Sequence, residues 1–569
     1  MGKWGKFFAV LVIGIILAIV AILPPTPLSE DAPADQFSSG RAMQDVRIIA
    51  AEPHPTGTPE NAKVRAYLQT RLIELGLEVS TSESQIDELG LKRLNRWKGE
   101  SKTEQTIVNI IGVMQGVDRS KPALLLMAHH DTVWESPGAA DATIGVASIL
   151  EIIRAIKLDS QPARDVIVLF TDAEEVGLVG AENFFRDNPM ADTIGAVLNF
   201  EARGGGGTTN MFQTSANNGN AAALYAKSVK QPSASSLSIY VYNALPNDTD
   251  LTPALEKDYV AYNFAHIGRA GLYHSPKIDA DALEERTLQH MGSQGLDLTR
   301  ALLAAIDFPA QKRDATFFDV FGFFTIIYPP ALGWLFLIST TLCFTVFANF
   351  KQRRADFFNG AVRMVSFLVV GGAVLYALNW LSGANAGSNY YDRLAAIPKL
   401  EVVAILAGLA LAIGFFGTSK YGFDKFLGAA FPILLIGFAG QALAPTATYF
   451  ISLSLLMCVV PAYARHRWPD NALIPWVAAL LAALVVGYMI MLGHLLLLGV
   501  GPTMLPVAIL TAAIAVMALL PFWQGLTKSR AKMLALVGLA LAVVLALYIR
   551  LDPMAATVPI YSLPGSVIH

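Results

Sequence analysis

Charge and cysteine are what this sequence has least of. Asp, Glu, Lys and Arg make up 15% of its 569 residues, where soluble domains carry about a quarter. The shortage is uneven. Residues 25–316 have an ordinary soluble balance, and long apolar stretches dominate from about Phe317 onward. The net charge of -3 is small and no basic stripe occurs, which excludes the electrostatic footprint of a nucleic-acid binder. The two cysteines, Cys343 and Cys458, both lie in apolar stretches. Residues 25–316 therefore hold no disulfide, and cysteine usage says nothing about their redox compartment.

Apolar sequence is abundant. Phe7 to Leu23 is an unbroken apolar run preceded by Lys3 and Lys6, about long enough to span a bilayer. It is long for a signal peptide, and "AIVAILPP" offers no clean small-x-small cleavage site, so residues 1–24 are expected to stay as a transmembrane anchor. The Pro-rich segment "PPTPLSEDAPAD" then reads as an extended linker. Eight further spans are expected near 328–348, 361–381, 400–417, 425–443, 446–463, 474–498, 503–523 and 531–549. If Lys3 and Lys6 are cytoplasmic, so are the loops with Lys351/Arg353/Arg354, Lys420/Lys425, Arg465/Arg467 and Lys528/Arg530/Lys532, whereas the opposite short loops hold only Arg393 and Lys399. This positive-inside pattern puts residues 25–316 outside the cytoplasm, in the periplasm if the host is bacterial. The spans hold few ionisable groups. Glu401 sits at a span edge, and His494 is expected to pack against a neighbouring helix, so nothing here indicates transport.

Residues 25–316 alternate strand and helix patterns. In "GTPENAKVRAYLQTRLIELGLEV" Thr58 can cap a helix, Pro59 suits its first turn and Gly76 ends it. Strand-like runs follow at 106–114, 123–128, 165–171, 196–200 and 260–265, with helical patterns at 143–157, 178–187 and 283–303. This order predicts an α/β class domain, an α/β/α sandwich with a mainly parallel central sheet. Residues 317–569 are expected to form an all-α, multi-span membrane domain. Active residues in such sheets gather past the carboxyl ends of strands.

Acids and histidines sit at those positions. His129 and Asp131 follow the strand at 123–128, Glu174 and Glu175 follow 165–171, Glu201 follows 196–200, His274 follows a turn in "AGLYHSPK", and Asp141 opens the helix at 143–157. Histidine nitrogen with carboxylate oxygen is a zinc ligand set. Two metals need a shared bridge, for which Asp141, pinned by "SPGA", is the best candidate. His129 and Glu201 would complete one site, and Glu175 and His274 the other. Asp131 would accept the other ring N–H of His129. Glu175 would ligate, leaving Glu174 as general base for peptide hydrolysis.

The chain resembles the di-zinc aminopeptidase family of co-catalytic zinc exopeptidases, in the membrane-embedded branch named for endoplasmic reticulum metallopeptidase and vacuolar membrane protease. The motifs that carry the resemblance are "PHPTGTPEN" (53–61), "HHDTVWESPGAAD" (129–141), "DAEEVGLVGAENF" (172–184), "NFEARGGGG" (199–207), "NDTDLTPAL" (247–255) and "YHSPKID" (273–279). It implies the same roles for His129, Asp141, Glu174, Glu175, Glu201 and His274, two zinc ions, a peptide substrate and a lipid bilayer around the spans. It names no protein partner. The chain departs from the family at Ala142, where Asp or Asn is usual.

Each residue also has a structural reading. Asp141 alone would read as a helix cap, as would Asp248 and Asp250. His130 is expected to pack or face solvent, and His54, His266 and His290 to be structural. Arg203 is expected either to grip a substrate carboxylate or carbonyl or to hold the "GGGG" loop by an ion pair. Tyr273 is expected either to hydrogen-bond a tetrahedral intermediate or to pack beside His274. Competing functions on this scaffold are a carboxypeptidase, a single-zinc glutaminyl cyclase, and a non-catalytic receptor or scaffold.

Overall fold

The computed structural model describes residues 4–344, 354–384 and 393–552. They group into two compact units. One is built on residues 23–327, and the other on the N-terminal helix and the apolar helices from Tyr328 onward. The first unit thus runs past the boundary expected at 316.

Its core is a seven-stranded mixed sheet in the order β1-β2-β4-β3-β5-β7-β6. The strands are β1 (Glu78–Gln85), β2 (Thr106–Met114), β3 (Ala123–His129), β4 (Val166–Thr171), β5 (Ile194–Ala202), β6 (Gly206–Thr214) and β7 (Val260–Gly268). The four central strands β4, β3, β5 and β7 run parallel. The β1–β2, β2–β4 and β6–β7 pairings are antiparallel. β3 and β4 are buried along their whole length, which is why both are apolar without alternation. β8 (Thr316–Asp319) and β9 (Thr325–Tyr328) form a separate two-stranded hairpin.

Helices cover the sheet. The Pro59–Glu74 helix starts as its sequence dictates: the Thr58 side chain accepts the Asn61 N–H at 3.1 Å, a cap worth about 1 kcal/mol. The Thr143–Ile156 helix is buried at nearly every position. Gly145 lets it lie close on β5, because a Cβ there would come within 2.6 Å of the Phe200 carbonyl oxygen. The Glu285–Ala304 helix is tied down at its end by buried Arg164, which donates to the carbonyls of Ala305 and Ile306 at 3.0 and 2.8 Å.

In the second unit, eight described helices are long and apolar enough to cross a membrane: Gly5–Ile22, Arg354–Ser382, Ile397–Phe416, Phe423–Leu443, Tyr449–Arg467, Ile474–Val500, Leu505–Phe522 and Lys528–Leu551. The span expected near 328–348 contains the shorter apolar helix Leu332–Leu342, and its residues 345–348 lie outside the described ones. The Gly5–Ile22 helix packs along Ile474–Val500. Their backbones meet at Gly14 and Gly487, where a Cβ on Gly487 would stand 2.8 Å from the Gly14 carbonyl oxygen. His494 does meet a neighbouring helix: its Nδ1 lies 2.7 Å from Oε1 of Glu401.

Candidate metal centre

The carboxyl ends of β3, β4, β5 and β7 carry the site. His129 is the last residue of β3, Glu174 and Glu175 lie just beyond β4, Glu201 is near the end of β5, and His274 lies in the loop after β7. Asp141 comes from the long β3 connection. Gly138 turns that connection at φ +67, close against the Thr132 side chain. The Ser136 hydroxyl donates to the Ser275 carbonyl at 3.0 Å and the Ala139 N–H to the Ile278 carbonyl at 3.2 Å. These bonds join the Asp141 loop to the His274 loop. Asp141 does not cap the helix that follows: Ala142 holds that position, without a side-chain cap bond.

Asp141 stands between two histidines. Its Oδ1 is 3.1 Å from Nε2 of His129 and its Oδ2 is 3.1 Å from Nε2 of His274. Glu201 Oε2 lies 3.7 Å from His129 Nε2, and Glu175 Oε2 lies 3.2 Å from His274 Nε2. Two groups result, His129/Asp141/Glu201 and Asp141/Glu175/His274, each with donor atoms within 4.8 Å of one another. His129, Glu174 and Glu175 form a third such group, with Glu174 Oε2 4.0 Å from His129 Nε2.

The donors fit zinc. Two ligands on a tetrahedral zinc, each about 2.0–2.1 Å from it, stand about 3.3 Å apart, close to the separations here. Glu175 Oε1 is buried and makes no hydrogen bond among the described residues, a costly arrangement without a cation.

The electrostatics point the same way. Burial pushes the Glu174 carboxyl well above the usual range, His129 opposes this, and Glu201, Glu175 and Asp250 add to it. Burial likewise raises Glu175 and takes Glu201 up to about 8. His274 would be lowered by burial, but Glu175 and Asp141 raise it to about 9. His129 is raised well above its ordinary value against its burial, chiefly by Glu174, Asp131 and Asp141. The acids crowd one another and draw protons onto themselves and onto the two histidines.

Asp131 is tied to both sides of the site. His129 Nδ1 lies 3.0 Å from the Asp131 backbone carbonyl and 3.6 Å from its carboxylate. The carboxylate accepts the N–H groups of Glu174 and Glu175 at 3.1 and 3.3 Å. His130 turns away, with Nε2 3.1 Å from the Val108 carbonyl. His54, His266 and His290 each bond a backbone carbonyl, those of Glu52, Gly204 and Gln231. Tyr273 stacks on the His274 ring, centroids 3.8 Å apart. The Arg203 N–H extends the sheet to the His266 carbonyl, and its side chain is half-buried.

Two features escape a sequence reading. Asp250 makes no cap bond; it is fully buried and accepts from the Thr171 hydroxyl. Burial raises it to about 6. The other is a polar ladder across three strands. Asn199 Nδ2 donates to Glu201 Oε1 at 3.2 Å and to Asn263 Oδ1 at 3.1 Å, and Asn263 Nδ2 donates to Gln213 Oε1 at 2.9 Å. Asn199, two residues before Glu201 and so on the same strand face, is the one signal that could have revealed it.

Residues 109–299 match the model of peptidase family M28. The chain is 29% identical over 309 residues to endoplasmic reticulum metallopeptidase 1 of Homo sapiens, covering 50% of this chain and 33% of that protein. It is 31% identical over 301 residues to the vacuolar membrane protease of Eremothecium gossypii, covering 50% of this chain and 29% of that protein. The chain thus spans about a third of the length of these relatives. Among solved structures, the aminopeptidase from Aneurinibacillus sp. strain AM-1 aligns with 49% of this chain and 99% of its own, at 14% identity and a TM-score of 0.38. Residues 109–299 thus resemble a peptidase M28 domain, and the relatives that the chain matches include an endoplasmic reticulum metallopeptidase and a vacuolar membrane protease.

Proposed function

We propose that the chain is a membrane-anchored exopeptidase that holds two zinc ions and removes residues from free N-termini of peptides. The observation that carries this reading is Asp141, whose two oxygens each face a different histidine at 3.1 Å. His129, Asp141 and Glu201 would hold one ion, and Asp141, Glu175 and His274 the other. Five donors with a shared carboxylate favour two ions over the single zinc of a cyclase. When bound, the ions polarise the substrate carbonyl and ease deprotonation of water.

The chain's own groups do the rest. Glu174 takes the proton from the attacking water and returns it to the leaving amine, as a general base and then acid. Its backbone is held by Asp131, so the carboxylate keeps its aim. Asp131, Asp141, Glu174, Glu175, Glu201 and Asp250 make the site rich in carboxylates, which suits the ammonium of a free N-terminus and disfavours a free C-terminal carboxylate. Tyr273 and Arg203 are the side chains proposed to contact substrate. The loop charges support an extracytoplasmic peptidase unit.

Hydrolysis of paired peptides tests the reading. Peptides with free N-termini should be cleaved and their N-acetylated twins spared. Cleavage of acetylated peptides from the C-terminus would replace it with a carboxypeptidase.

A further inference from the structure

The β8–β9 hairpin has two unlike arms. β8 is buried throughout, and its Phe318 pairs with Ser235. The Asp319 N–H donates to the Ala234 carbonyl at 3.0 Å, and its carboxylate accepts the N–H groups of Ala234 and Gly322 at 3.3 and 3.0 Å. β9 is half-buried except at Ile326, which is 38% exposed, and Phe324, just before the strand, is 54% exposed. Phe323, at the tip, is 62% exposed.

The turn between the arms is well defined. The Phe323 N–H donates to the Val320 carbonyl at 3.0 Å, and the Val320 N–H to the Phe324 carbonyl at 2.8 Å. Phe321 and Gly322 have φ of 53° and 77°, the type I′ pattern, which favours Asn or Gly at its first central position. Phe is strained there. The strain coincides with a division of the aromatics: Phe321 is buried, while Phe323 and Phe324 face out.

Exposed apolar side chains gathered at one hairpin tip invite association in water unless something covers them. No charged residue occurs between Asp319, which is buried, and Lys351, so no charge on the hairpin's own chain opposes burial of the tip in lipid. The chain runs from this strand into the apolar Leu332–Leu342 helix within a few residues. We propose that the tip, formed by Phe323, Phe324 and Ile326, is a lipid-binding surface that inserts into the boundary between headgroups and acyl chains. Phe and aliphatic side chains are among those that segments lying in the membrane surface bury to that depth. Insertion would hold the peptidase unit at the bilayer, where peptides close to the membrane reach it first.

The test uses the full chain in nanodiscs of phosphatidylcholine and phosphatidylglycerol. Cys343→Ser and Cys458→Ser remove native thiols. Phe323→Cys carries an environment-sensitive fluorophore, and Leu89→Cys, on the charged Glu88–Lys98 helix, is the solvated control. The proposal expects blue-shifted emission at 323, loss of most of it to lipids bearing a nitroxide near the headgroup, and little quenching by aqueous iodide. The label at 89 should behave in the opposite way. Strong iodide quenching at 323 would overturn the proposal. So would a blue shift that lipid nitroxides leave untouched, which would mean that protein covers the tip.

Discussion

The Asp131 carboxylate accepts the backbone N–H of Glu174 at 3.1 Å. One residue after β3 thereby fixes the residue proposed to move the proton after β4. Asp131→Ala would remove the acceptor of two partly buried N–H groups, those of Glu174 and Glu175, and free their loop. The expected result is a fall in kcat of about ten- to a hundredfold. Steady-state kinetics beside a circular-dichroism check of the fold would measure it; unchanged kcat would remove Asp131 from the account.

Metal counting tests the shared role of Asp141. Elemental analysis should find two zinc ions per wild-type chain. Asp141→Ala should lose both, while Glu201→Ala and Glu175→Ala should each keep one. Equal, partial loss in all three variants would contradict a bridge.

Sequence and structure agree where burial left a chemical mark. β3 and β4 sit inside the sheet, buried on both faces, and their apolar runs gave their positions to within a residue. β1, "EVSTSESQ", pairs on one side only and alternates half-buried and exposed residues, so no apolar pattern marks it. β6 starts inside the glycine run after Glu201. A Cβ at Gly204 would meet the Gly268 carbonyl oxygen at 2.1 Å, so close backbone approach, not a loop, explains the small residues there. The five proposed donors were legible because four stand at or just beyond the carboxyl ends of strands and the fifth, Asp141, lies in the connection after β3. Asp250 was not, because its hydroxyl partner, Thr171, lies on β4, distant in sequence. The sheet is mainly parallel, as expected, but mixed: β2 and β6 run against the four central strands, and β1, antiparallel to β2, runs with them.

The buried histidines set an acid limit. His290 Nδ1 accepts the Thr209 N–H at 3.1 Å, and its Nε2 lies 2.9 Å from the Gln231 carbonyl, an arrangement for the neutral ring. Burial lowers its pKa to about 4, against about 6.5 unfolded. Between these values the unfolded chain binds the extra proton. Stability is therefore fully present above about pH 6.5 and is lost as pH falls towards 4, by roughly 3 kcal/mol for this one group. Hydrogen exchange at the Thr209 amide, corrected for intrinsic rate, should accelerate through that window. A flat profile would contradict it.

The Gly14–Gly487 contact predicts that the N-terminal helix is part of the helical unit. After cleavage at a protease site inserted behind Leu23, the wild-type helix should stay bound in mild detergent. Gly487→Leu should release it. Equal retention in both would show that the contact does not hold the helix.

The central claim is that Glu174 moves the proton while other residues hold the metal. Glu174→Gln keeps the side chain's shape and removes its basicity. Zinc content and hydrolysis of a free-N-terminus peptide should be measured on the same preparation. The account predicts two zinc ions per chain and turnover lower by about 10²–10⁴-fold. Full turnover would contradict it, and loss of one zinc ion would make Glu174 a ligand instead.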